Sequence, residues 1–98
     1  MKTDSKTLRQ IAGLCTYQAT IVGGTGDFNI HKITTGQYRL TWHKPFRSPP
    51  IVAIAPTGAS IIGYNADALG SNIYTYNAGG AVSDQSFAFT ATGVPHVL

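Results

Sequence analysis

Apolar and polar positions alternate with a period of two along much of this chain, and turn residues interrupt the alternation about every eight to twelve positions. The clearest stretch runs from Tyr38 to His43, where Tyr38, Leu40 and Trp42 alternate with Arg39, Thr41 and His43. Before it, Phe28 and Ile30 fall on one face and Asn29 and His31 on the other, over a segment from Asp27 to Ile33. Thr34-Thr35-Gly36 separates the two runs, and Gly36 suits the positive φ of a tight turn, so the pair predicts a hairpin. Leu14 to Val22 reads as a strand, and Gly23-Gly24-Thr25-Gly26 as the turn after it.

Lys44 to Pro50 breaks the sheet, because Pro45, Pro49 and Pro50 have no N–H to give a central ladder. Phe46 is the apolar plug expected for that loop. Ile51 to Ala55 follows as a short apolar strand of central character. Ser60 to Asn65 and Asn72 to Asn77 are further strands around the polar loop Ala66 to Ser71. After a turn at Gly79-Gly80, Ser86 to Thr92 places Phe87, Phe89 and Ala91 inward. The expectation is all-β: a compact antiparallel β-sandwich of six or seven short strands. Residues 1–13 read as a polar N-terminal tail or linker, in which Ser5 would at most cap a short helix through Gln10. Residues 14–98 read as one β-sandwich domain.

Composition agrees with sheet. Only 11% of the 98 residues are charged, against roughly 25% in average globular domains. Glutamate is absent, and the acids are Asp4, Asp27, Asp67 and Asp84. A surface so poor in charge suggests that a partner covers part of it. The net charge is +3, with Lys32, Arg39, Lys44 and Arg47 clustered beside His31 and His43. Arg39, His43 and Arg47 therefore form a candidate face for an anionic ligand, against the plainer reading of a solvated sheet face. The basic residues are too few for nucleic acid. Cys15 is the single cysteine, which excludes an internal disulfide and reads as a buried thiol. Neither a signal peptide nor a membrane-inserting segment is expected.

Catalytic patterns are scarce. His31 and His43 are diagonal neighbours on the outer face of the hairpin, without a third ligand for a metal. The glycine run lacks the Lys-Ser/Thr of a phosphate loop. No cofactor, metal or enzymatic activity is expected. Binding residues stand out more. Tyr64, Asn65, Asp67, Tyr76 and Asn77 combine aromatic rings with amides and a carboxylate, the pairing by which proteins pack a sugar ring and bond its vicinal hydroxyls. Tyr74 shares the parity of Tyr76, and Asn72 lies nearby. The plainer alternative makes one or both of these tyrosines core residues or subunit contacts.

The order of motifs carries a resemblance. Gly26-x-Phe28-x-Ile30, Thr35-Gly36-x-Tyr38-x-Leu40-x-Trp42, Pro45-Phe46-x-Ser48-x-Pro50-x-Val52 and Asp84-x-x-Phe87-x-Phe89-x-Ala91-x-Gly93 together resemble small β-sandwich domains at the C-terminal ends of phage tail fibres. The middle portion is also similar to the H-type lectins. Trp42 stands where the fibre-like pattern has phenylalanine, which places it in the core. The resemblance implies a homotrimer that binds a cell-surface glycan or lipopolysaccharide in grooves between protomers. The setting would be the fibre of a virion or phage-like particle made in the bacterial cytoplasm. A purely structural trimerisation, capping or capsid-decoration module without a ligand is the alternative that the same motifs serve.

Overall fold

The computed structural model describes residues 8–95. Eight strands form two four-stranded antiparallel sheets: β1 (Arg9–Cys15), β2 (Ile21–Gly24), β3 (Phe28–Thr34), β4 (Gln37–Trp42), β5 (Ile51–Pro56), β6 (Ser60–Ala66), β7 (Gly70–Asn77) and β8 (Phe87–Gly93). The first sheet has the order β2-β1-β8-β5 and the second β3-β4-β7-β6. The expected antiparallel sandwich is therefore present, with eight strands rather than six or seven. No described helix is long and apolar enough to cross a membrane.

Period-two patterning decides which side chains meet between the sheets. The first sheet contributes Ile11, Cys15, Val52, Phe87, Phe89 and Ala91, and the second Phe28, Tyr38, Leu40, Trp42 and Ile73. Phe28 meets Phe89 edge-on with centroids 4.9 Å apart. Trp42 sits between Phe89 and Phe46 at 6.0 and 5.9 Å. Phe46 is buried, and its N–H donates to the Ala68 carbonyl, so the loop after β4 is plugged as its sequence suggested. Trp42 packs in the core.

Three expectations need correction. Arg9 to Gly13 are not tail: they pair with β8 from Arg9↔Gly93 to Gly13↔Phe89, and Ile11 is fully buried. Arg9 and Gln10 are strand, not the end of a helix; Ser5 lies outside the described residues. The segment Leu14 to Val22 is not one strand. The chain turns at Thr16 to Thr20, with Ala19 at φ 62°, and Gly23-Gly24 belong to β2 instead of forming the hairpin turn. The apolar run that forms β5 is an edge strand, not a central one. Pro56, which cannot donate a ladder bond, ends it where that costs little.

A carboxylate ties the loop before β8 to the β3–β4 hairpin. Asp84, in the loop before β8, accepts the Gly36 N–H at 2.7 Å and the Lys32 ammonium. Gly36 has φ 71°, and a Cβ there would also crowd the Thr75 carbonyl oxygen. The glycine thus serves both the turn and the close approach of β7.

Cys15 is fully buried between the sheets, and this burial pushes its thiol up to about 11. The nucleophile is the thiolate, so iodoacetamide at pH 8 is expected to leave the folded protein essentially unmodified over the time it labels the urea-unfolded chain. Mass spectrometry reads both. Equal rates would contradict the burial.

Candidate functional site

The outer face of the second sheet is built by the residues that alternate with its core. On β7, Ser71, Ile73 and Thr75 are buried, which turns Asn72, Tyr74 and Tyr76 outward. Buried Ser71 and Thr75 are satisfied by donating to the carbonyls of Asn65 and Ser83 at 2.7 and 2.6 Å. The register then lays the outward residues in rows. His31, Arg39, Asn72 and Asn65 face one another across all four strands. In the next row Gln37, Tyr74 and Gly63 are opposite, and beyond it Tyr76 faces Ile61.

A hydrogen-bonded network runs along the first of these rows. The Arg39 guanidinium donates to both carboxylate oxygens of Asp67 at 3.3 Å and to Asn72 Oδ1 at 3.2 Å. Asn72 Nδ2 donates to Asn65 Oδ1 at 3.0 Å. Asp67 Oδ1 also accepts the N–H groups of Leu69 and Gly70, which fixes the β6–β7 turn. Partial desolvation pushes the Asp67 carboxyl up. The bonds from Arg39, Leu69 and Gly70 outweigh it and hold the group below its ordinary value. Gly70 is required here, because a Cβ would collide with the Leu40 carbonyl oxygen and crowd the guanidinium.

Beside this network stands Tyr74. Its cross-strand neighbour is Gly63, and no heavy atom comes within 4 Å of where a Cβ at Gly63 would be. The flank of Tyr74 toward β6 is therefore an open notch. Successive outward positions on a strand are about 7 Å apart, so the ring and the amide row border a strip one pyranose wide. The network leaves unused donors on Arg39, Asn72 and Asn65 and lone pairs on Asp67.

Of the residues singled out from sequence, Asn65 and Asp67 belong to this network. Tyr64 does not join it: it lies opposite buried Ile73, so it takes the core-side parity of an edge strand, where it is 46% exposed. Tyr76 shares the outer face but lies four residues, about 14 Å of strand, from Asn72. Asn77 is occupied locally, its Oδ1 accepting the N–H groups of Gly79 and Ala81 in the turn.

The anionic-ligand face does not assemble as a cluster either. Arg39 is paired with Asp67, and His43 bonds Asn29 at 3.2 Å. Arg47 is in the loop past β4, its N–H donating to the Val94 carbonyl. His31 stands opposite Arg39, four strand residues from His43, and among the described residues no three His, Cys, Asp or Glu side chains form a metal-binding group. Tyr74 and Asn72, which the sequence set beside the candidates, belong to the site, and the additions are Gly63 and Arg39 in a new role. Parity on β7 groups Asn72 with Tyr74, but only the register across to β6 finds the notch. No protein-family model, curated protein or solved structure matches this chain.

Proposed function

We propose that this domain binds a neutral saccharide on the outer face of its second sheet and carries out no chemistry on it. The observation that carries this reading is Tyr74 beside the open position at Gly63, one row from the Arg39–Asn72–Asn65–Asp67 network. An aromatic ring offers a surface for the C–H face of a pyranose, while planar amides and a fixed ion pair offer paired donors and acceptors to vicinal hydroxyls. Because Arg39 is neutralised by Asp67, the face favours a hydroxyl-rich ligand over a phosphate or carboxylate. A neutral stretch of bacterial surface polysaccharide has the right chemistry, and the phosphates of lipopolysaccharide do not.

In this reading the domain is the receptor-binding tip of a phage or phage-like tail fibre. A homotrimer displays three such sites together. Each single site is shallow and weak, and simultaneous engagement of a repetitive polysaccharide compensates. The sites lie on an outward sheet face rather than in grooves between protomers.

An array of bacterial surface glycans, probed with the full chain, tests the reading. Wild type is expected to retain at least one neutral glycan, and Tyr74→Ala to weaken it about tenfold, the scale of one lost aromatic contact. Tyr64→Ala is expected to bind as wild type. A wild-type array without signal would leave the ligand-free structural module in its place.

A further inference from the structure

The two sheets carry very different outer faces. On the first sheet, β1, β2, β5 and β8 contain a single charged residue, Arg9. That residue does not serve the face: its guanidinium lies over the Phe46 ring, 4.9 Å from the centroid, and bonds the Lys44 carbonyl. What remains outward is uncharged and mostly small and apolar. Its polar positions are Thr90 and the hydrogen-bonded pair Gln10 and Thr92, which lie in the row of Ile51. Register places Leu14, Ala88 and Ala55 in one row and Ala12, Thr90 and Ala53 in the next. Ile51 ends the face and is 79% exposed. A sheet face normally alternates apolar-in with polar-out. This one is apolar inside and carries no charge and few polar groups outside, an arrangement that favours cover of the outer side by a partner.

From this we infer that the outer face of the first sheet is the surface on which copies of this chain pack against one another. Three features identify the occupant as a second copy. The face has no charge that would select a charged partner or repel a copy of itself. It also holds a projection and a depression together: Ile51 stands up at one end, and a shallow hollow of about 230 Å³ is lined by Ala53, Ile54, Ala55, Ala88, Phe89 and Thr90 of the neighbouring strands β5 and β8. Around a rotation axis the projection of one copy can enter the hollow of the next, which closes a ring of two or three. Finally, the extent is adequate. Four strands at about 4.8 Å and six residues at about 3.4 Å give roughly 400 Å² in projection per copy. Upright side chains enlarge that, so a pair of faces approaches the roughly 1,000 Å² at which specific interfaces begin.

The consequence concerns display. The saccharide face lies on the opposite side of the sandwich, so packing through the first sheet leaves every copy's Tyr74 turned outward. The inference deepens the multivalent part of the proposed function and rests on that reading for the number of copies. The surface itself is argued from the first sheet alone.

Light scattering on a sizing column, with the full chain and with Ala53→Glu, tests it. Ala53 is exposed, so a glutamate there is compatible with the fold, and far-UV circular dichroism with Trp42 emission checks that it is. Wild type is expected to elute at two or three times the mass of one chain, and Ala53→Glu at the mass of one. Ile51→Ser is expected to shift the equilibrium the same way at higher concentration. A wild-type monomer at 1 mM, or an assembly whose mass Ala53→Glu leaves unchanged, would overturn the inference. Glycan binding separates the two proposals: a monomeric Ala53→Glu is expected to keep its single-site contact, shown by sensitivity to Tyr74→Ala, and to lose only avidity. An unchanged mass with intact glycan binding would remove the interface and leave the saccharide site standing.

Discussion

Phe89→Ala is expected to remove about 3–5 kcal/mol of folding free energy, the range for truncating a buried phenylalanine. Phe89 lies on central strand β8, 3% exposed, with Phe28 edge-on to it and Trp42 tilted against it. The ring therefore joins both sheets. A domain of this size holds a net stability of only about 5–15 kcal/mol, so one side chain decides a large share. Urea unfolding followed by far-UV circular dichroism reads the loss as a lower midpoint. Thr90→Ala, one residue along and facing outward, is expected to change stability by about 0.5 kcal/mol or less. Equal effects at the two positions would contradict the inward assignment of β8.

Asp84 is expected to give the second large effect, with a pH dependence that identifies it. Its carboxylate is the sole described partner of the Lys32 ammonium and accepts the Gly36 N–H. Asp84→Ala leaves that part-buried N–H unpaired, a loss of about 2 kcal/mol at pH 7. The Lys32 hydrogen bond, then that of Gly36, hold the Asp84 carboxyl below its ordinary value of 3.8. A carboxyl with a depressed folded-state pKa stabilises the fold above its unfolded value and loses that contribution as pH falls through the folded one. The urea midpoints of wild type and Asp84→Asn are therefore expected to differ clearly at pH 7 and to converge as the pH falls below 3.8 and through the depressed folded-state value. Asp27 and Asp67 are held low as well, so both proteins weaken in acid and only the gap between them reports Asp84. A gap independent of pH would contradict the charged tie.

Much of the fold was legible because its strands follow period two with turns at glycine and proline. Phe87, Phe89 and Ala91 point inward as their alternation says, and the hairpin around Gly36 closes where its positive φ allows. Errors arose where local pattern is silent about neighbours. Ile51 to Ala55 is apolar like a buried central strand, yet it is an edge whose outer side faces away from the core. Arg9 to Gly13 looked like the end of a polar tail because only Ile11 carries a large buried side chain, while Gly13 is small to admit Phe28 and Phe89.

The candidate site was half legible for the same reason. On β7 the buried positions are Ser71, Ile73 and Thr75 and the outward ones include two tyrosines, an inversion of the usual pattern. It holds because Ser71 and Thr75 find carbonyl partners inside. Tyr64 and Asn77 carry the right chemistry, but register sends one to the core side and a turn consumes the other. Asp67 was visible as a loop acid, whereas its bond to Arg39 joins residues 28 positions apart.

The central claim, that a saccharide binds beside Tyr74, is tested most directly by backbone amide NMR of the full chain titrated with glucose, galactose and N-acetylglucosamine at millimolar concentrations. At least one sugar is expected to shift the amides of Arg39, Gly63, Asn65, Asn72 and Tyr74 together, and to leave those of Ala53 and Ala88 in place. Shifts confined to the first sheet, or no shifts with any of the three, would contradict it.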